Sequence, residues 1–102
     1  MFKVCKTDAN NKLIKLKKNR LYPGSWINMI NPSNEELEKV AGWIEWDVDA
    51  LKSSLDIDER SRIEHEGQNF MVIINLPLLD DEGQFDTLPF SMVFTAKNFV
   101  TL

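Results

Sequence analysis

The sequence predicts an α/β (α+β) domain in which a mixed, largely antiparallel sheet carries packed helices. Three observations lead there. Seven short extended segments are separated by turn formers, residues 34–44 carry a strongly signalled amphipathic helix, and residues 70–74 form an apolar run that reads as a strand covered on both faces. With 102 residues and 43% hydrophobic content, the chain is large enough for one core, so residues 1–102 are read as a single domain.

Residues 2–6 and 12–18 flank Asp8-Ala9-Asn10-Asn11, a cluster of turn formers, and read as two strands of a hairpin in which Ile14 and Leu16 share a face. Tyr22-Pro23-Gly24 then breaks the chain ahead of a short alternating strand over 25–30. Pro32-Ser33-Asn34-Glu35-Glu36 is a helix start. The Ser33 hydroxyl can accept from the Glu36 amide while the Glu36 carboxylate reaches back, and acids suit the positive end of a helix. In the helix that follows, Leu37, Val40, Ala41 and Ile44 recur at helical spacing and make one apolar stripe. Trp43 lies about 120° off that stripe, where it either packs sideways or faces a partner.

Asp47 caps a second, shorter helix over 48–55. Segments 62–66 and 69–78 flank Gly67-Gln68 as a hairpin, and the apolar run inside the second marks it as the expected centre of the sheet. After the acidic loop Asp80-Asp81-Glu82-Gly83, the strand over 85–95 alternates Phe90, Met92 and Phe94 with Ser91, Val93 and Thr95. Ala96-Lys97-Asn98 then turns into a last strand beginning at Phe99. The sequence stops at Leu102 inside that apolar strand with no polar tail, which reads as a piece of a longer chain and leads us to expect self-association through an uncovered sheet face or edge.

Composition narrows the function. The net charge of −4 hides a strong asymmetry: residues 1–20 carry seven bases against Asp8, while the other 82 residues carry five bases and 15 acids. The basic stretch lacks interleaved aromatics for base stacking and reads as the solvated face of a hairpin, so nucleic acid is not an expected partner. No apolar run approaches the ~20 residues of a membrane-spanning helix, and no secretory leader is recognisable at the start. Cys5 cannot form an internal disulfide and reads as a half-buried thiol.

His65 is the single imidazole and sits between Glu64 and Glu66. No nucleophile elbow or phosphate-binding glycine loop occurs, so the chain reads as a non-enzyme with no assigned catalytic or cofactor residue. Carboxylates are the remaining chemistry. Asp47 and Asp49, then Asp56, Asp58 and Glu59, then Asp80, Asp81, Glu82 and Asp86 could supply hard oxygen ligands to Mg²⁺ or Ca²⁺, although each group reads first as surface or cap, and no metal ligand set is assigned.

Several stretches together resemble the N-terminal cytosolic domain of the CorA family of Mg²⁺ and Co²⁺ transporters. They are Trp26-Ile27-Asn28-Met29-Ile30-Asn31-Pro32-Ser33, Glu36-Leu37, Leu51 with Leu55-Asp56, Ser61-Arg62-Ile63-Glu64, Asn69-Phe70-Met71-Val72-Ile73-Ile74-Asn75-Leu76-Pro77, Leu88-Pro89-Phe90-Ser91-Met92-Val93-Phe94 and Asn98-Phe99-Val100-Thr101. The resemblance covers roughly residues 24–102. It implies a mixed sheet between helical layers, placed at the cytoplasmic face of the inner membrane. It also implies a regulatory and assembly role in a homopentameric transporter, with a divalent cation and further copies of the chain as partners. The family's Gly-Met-Asn pore signature does not occur, so this segment does not conduct ions. Two further positions depart from the family pattern. Lys52 and Ser53 stand where relatives often carry two acids that bridge subunits through metal, and Glu45 stands where a turn glycine is common. A stand-alone interaction module, anchored by Trp43 and Trp46, is the competing reading.

Overall fold

The helix start over Pro32–Glu36 forms as its residues dictate. In a computed structural model describing residues 1–56 and 60–102, Ser33 Oγ accepts from the Glu36 amide at 3.2 Å and Glu36 Oε1 accepts from the Ser33 amide at 3.0 Å. This reciprocal cap opens α1, Asn34–Ile44, and its stripe of Leu37, Val40, Ala41 and Ile44 is buried. The Met1 ammonium also donates to Glu36 Oε1 at 2.9 Å. The Ser33 amide first, and then this ammonium, hold the Glu36 carboxyl down at about 2. Glu45 ends α1 in the left-handed region, with φ 55°, the conformation for which a glycine is the usual residue.

Asp47 caps α2, Val48–Ser53, by accepting from the Asp49 amide at 3.0 Å. This helix stops two residues short of the expected 55. The buried Ser54 hydroxyl donates to the Leu51 carbonyl at 2.7 Å, and such local side-chain bonding competes with continuation of a helix.

The strands are β1 (Phe2–Thr7), β2 (Leu13–Leu16), β3 (Trp26–Met29), β4 (Arg62–Glu66), β5 (Asn69–Leu79), β6 (Phe85–Phe94) and β7 (Phe99–Thr101). They form one sheet in the order β2-β1-β3-β7-β6-β5-β4, antiparallel throughout except for the parallel pair β3 and β7. The mixed, largely antiparallel sheet with packed helices is therefore the observed class. One expectation fails: β5 is not the sheet centre but the strand next to an edge. The central position belongs to the three-residue β7, whose parallel pairing with β3 joins the N-terminal and C-terminal halves of the sheet. A second fails with it: the run is not covered on both faces, since Met71 and Ile73 are buried under the helices while Phe70, Val72 and Ile74 are only half-buried on the other face.

One face of the sheet and the helices make the core. Val4, Ile27, Met29, Met71, Ile73, Val93 and Val100 are buried in one cluster with Leu37, Val40, Ala41, Ile44 and Leu51. In β6 it is Ser91 and Val93 that turn inward, and Phe90, Met92 and Phe94 that turn away. Ser91 is tolerated there because its hydroxyl donates to the Ser54 carbonyl at 3.4 Å while its backbone pairs with Leu102. Trp43 packs sideways, edge-on to the Phe2 ring at 6.0 Å and beneath the Lys39 ammonium. Trp46, 6% exposed, is part of the core.

Candidate functional site

The face of the sheet turned away from the helices has no covering layer among the described residues, and its register brings together residues far apart in sequence. One row runs across all seven strands: His65, Phe70, Phe94, Phe99, Trp26, Cys5 and Lys15. Its centre is an aromatic ladder, with Phe70 stacked on Phe94 at 4.8 Å and Phe94 against Phe99 at 4.9 Å. Val72 and Met92 pair in the next row, and Ile74 and Phe90 beyond it. All of these apolar side chains are half-buried. Beside the ladder, Trp26 Nε1 donates to Thr101 Oγ1 at 3.0 Å, and that hydroxyl donates on to Asn28 Oδ1 at 2.9 Å, which ties β3 to β7.

From this sheet β5 and β6 continue as a two-stranded arm. The last ladder pairs to flanking strands are Ile73 with Arg62 and Met92 with Thr101, while β5 and β6 stay paired out to Leu79 and Phe85. The free part is six residues long on each strand, about 20 Å at strand rise. It carries Leu76, Leu78, Leu79, Phe85 and Leu88 exposed, with Phe85 at 80%. A two-stranded ribbon is marginal in water without a covered face. The Asp80 carboxylate closes its tip by accepting from the Glu82 amide at 2.9 Å and the Gln84 amide at 2.8 Å.

The sequence-derived metal candidates do not converge. Among the described residues no group of three His, Cys, Asp or Glu side chains is placed to hold a metal ion. Asp47 is engaged as a helix cap, Asp80 as a turn cap, and Asp86 Oδ1 accepts from the Thr87 amide at 2.8 Å. Asp58 and Glu59 lie outside the described residues. Lys52, where the resemblance implied an acid, holds its ammonium 3.9 Å from Glu38 Oε1 of α1, so that carboxylate already faces a cation.

His65 is on the edge strand β4 and Cys5 on β1, five strands apart in the sheet order and so about 24 Å apart at the usual strand spacing, which rules out a Cys-His pair. Trp43 and Trp46 are spent on packing and are not exposed anchors. The Trp46 indole N–H is buried without a hydrogen-bond partner among the described residues. Nor is any described helix long and apolar enough to cross a membrane.

The aromatic ladder and the arm are the candidate surfaces that the sequence did not reveal. Alternation of large apolar residues in β6 was visible, but which set faced the helices was not.

No family model and no curated protein matches the chain. Solved structures do. The complete CorA magnesium transporter from Methanocaldococcus jannaschii superposes with a TM-score of 0.80 at 23% identity, covering 99% of this chain and 31% of that one. The soluble domain of CorA from the same organism superposes with a TM-score of 0.76 at 22% identity, covering 99% of this chain and 39% of that one. The chain thus spans about a third of the length of the transporter it matches. Both superpositions give the same result: this chain has the fold of a part of the CorA soluble domain.

Proposed function

We propose that the chain is the N-terminal regulatory and assembly domain of a CorA-like divalent-cation transporter. In this reading it is part of a longer protein, acts at the cytoplasmic face of the inner membrane, and neither conducts ions nor catalyses a reaction. The observation that carries the reading is the match over 99% of this chain to one segment of a magnesium transporter. A second supports it. The aromatic face is half-buried and apolar, and the arm exposes Leu76, Leu78, Leu79, Phe85 and Leu88, surface of the kind that marks an interaction site; in this reading the face packs against other parts of a transporter. The physical logic of regulation is differential binding: a cation held between neighbouring copies favours the arrangement in which they are close.

The competing stand-alone module loses its proposed anchors, because Trp46 is buried and Trp43 is packed on Phe2.

The test is calorimetric titration of the chain with Mg²⁺ and with Co²⁺, paired with sedimentation velocity on the same samples. Saturable binding that alters the association state supports a metal-responsive domain, and Asp47, Asp49, Asp56 and Asp58 are then the first residues to neutralise. Absence of binding up to millimolar metal, expected if Lys52 blocks the usual position, removes metal sensing from this segment and leaves assembly as its role.

A further inference from the structure

The arm and the β1–β2 hairpin leave the sheet at opposite ends. The register sets this: β1 pairs Phe2 with Met29, β3 runs parallel to β7, and β7 runs antiparallel to β6. Thr7 and Leu13 therefore lie at one end of the strands, while Leu79 and Phe85 project beyond the other. The hairpin also forms one edge of the sheet and the arm belongs to the opposite half. In a body of 42 × 31 × 24 Å the two cannot meet within one chain.

Their surfaces are complementary. The arm from Leu76 to Leu88 contains Asp80, Asp81, Glu82 and Asp86 and no base, beside exposed Leu79 at 63% and Phe85 at 80%. The hairpin over 6–18 contains Lys6, Lys12, Lys15, Lys17 and Lys18 against Asp8 alone, beside exposed Leu13 at 58% and exposed Ile14. Asp8 is turned inward as a cap, accepting from the Asn10 and Lys12 amides. Each element thus pairs an uncovered apolar patch with charge of one sign, and the signs are opposite. β2 has no strand on its outer side among the described residues. Pairing it with a second β2 would set lysine against lysine, and pairing two arms would set acid against acid.

We propose that the arm of one copy of this chain docks along the β2 edge of a second copy. The contact is heterologous, head to tail, so it propagates to a closed ring or an open chain according to its rotation. This proposal rests on the assembly half of the preceding reading and not on its metal half.

Sedimentation velocity on the wild-type chain, between about 10 μM and 1 mM and at about 50 and 500 mM NaCl, tests it. We expect concentration-dependent association that weakens about tenfold at the higher salt. The variants D81K/E82K and K12E/K17E, at positions outside the core, should each remain single chains with wild-type far-UV circular dichroism. An equimolar mixture of the two should associate again, because the basic arm of one now fits the acidic hairpin of the other. Phe85→Ser should weaken association in the wild-type background.

A strictly monomeric wild type at 1 mM, association indifferent to both reversals, or two folded variants that fail to associate when mixed would each overturn the proposal. Rescue in the mixture alongside a null metal titration would retire metal sensing and keep the head-to-tail contact. Metal binding without rescue would do the reverse.

Discussion

Asn98 joins two parts of the fold that are more than seventy residues apart, and its replacement has a calculable cost. The side chain is 7% exposed, and Nδ2 donates to the Tyr22 carbonyl at 2.8 Å and to Ser25 Oγ at 2.9 Å, clamping the β6–β7 turn to the loop that enters β3. Asn98→Ala removes both bonds, each with a net value of about 1 kcal/mol. The surviving groups are not orphaned, since the Tyr22 carbonyl still accepts from the Ser25 hydroxyl at 2.6 Å and from the Ser25 amide at 3.2 Å. The loss should therefore be about 2 kcal/mol and not the larger penalty of a stranded donor.

Asn98→Asp is more severe at neutral pH, about 3 kcal/mol or more. The introduced carboxylate faces a carbonyl and a hydroxyl whose proton is already committed. With nothing to donate to it, that carboxyl has a folded pKa above its unfolded value near 4. The extra penalty is therefore full at high pH and fades as pH falls and the group protonates. Urea unfolding read as a change in midpoint at constant m-value measures both. The reasoning is refuted if Asn98→Ala stays within about 0.5 kcal/mol of wild type, or if the aspartate variant is no worse than the alanine variant at pH 7.

Two further outcomes follow from the ends of α1. The Glu36 carboxyl, lowered from an ordinary 4.5 to about 2 by the Ser33 amide and the Met1 ammonium, contributes stability that is present above pH 4.5 and is lost as pH falls towards 2. A carbon-detected NMR titration of Glu36 should show the depressed midpoint, and acetylating the Met1 amine should move it upward; a midpoint near 4.5 in the unmodified chain would contradict the geometry. Glu45→Gly relieves a left-handed residue with φ 55° and should stabilise by about 0.5–1 kcal/mol. Thermal unfolding should show a midpoint several degrees higher, and a lower one would contradict the strain assigned to Glu45.

Local chemistry was legible. The Ser33–Glu36 box, the spacing of Leu37, Val40, Ala41 and Ile44, and the Gly67-Gln68 turn each act within a few residues, so the limits of α1 and β4 agree with the expectation over 34–44 and 62–66. Strand order was not legible, because it depends on pairings such as Trp26 with Phe99 that no local rule encodes. The same limit hid the inward turn of Ser91. Alternation assigns residues to two faces, but only the position of α1 and α2 decides which face is dry. The metal candidates show a third case. Asp47 and Asp80 were visible as acids, yet their carboxylates are occupied by the backbone amides of their own turns.

What the sequence by itself determined is the set of elements, their turns and caps, and the opposite charges of its basic hairpin and acidic loop, since all of these act over a few residues. Only the tertiary structure decided that β7 is central, that an aromatic ladder faces away from the helices, and that the two charged hairpins leave the sheet at opposite ends. Those facts follow from hydrogen-bond registers between distant strands, and a register is a property of the assembled sheet and not of any one segment.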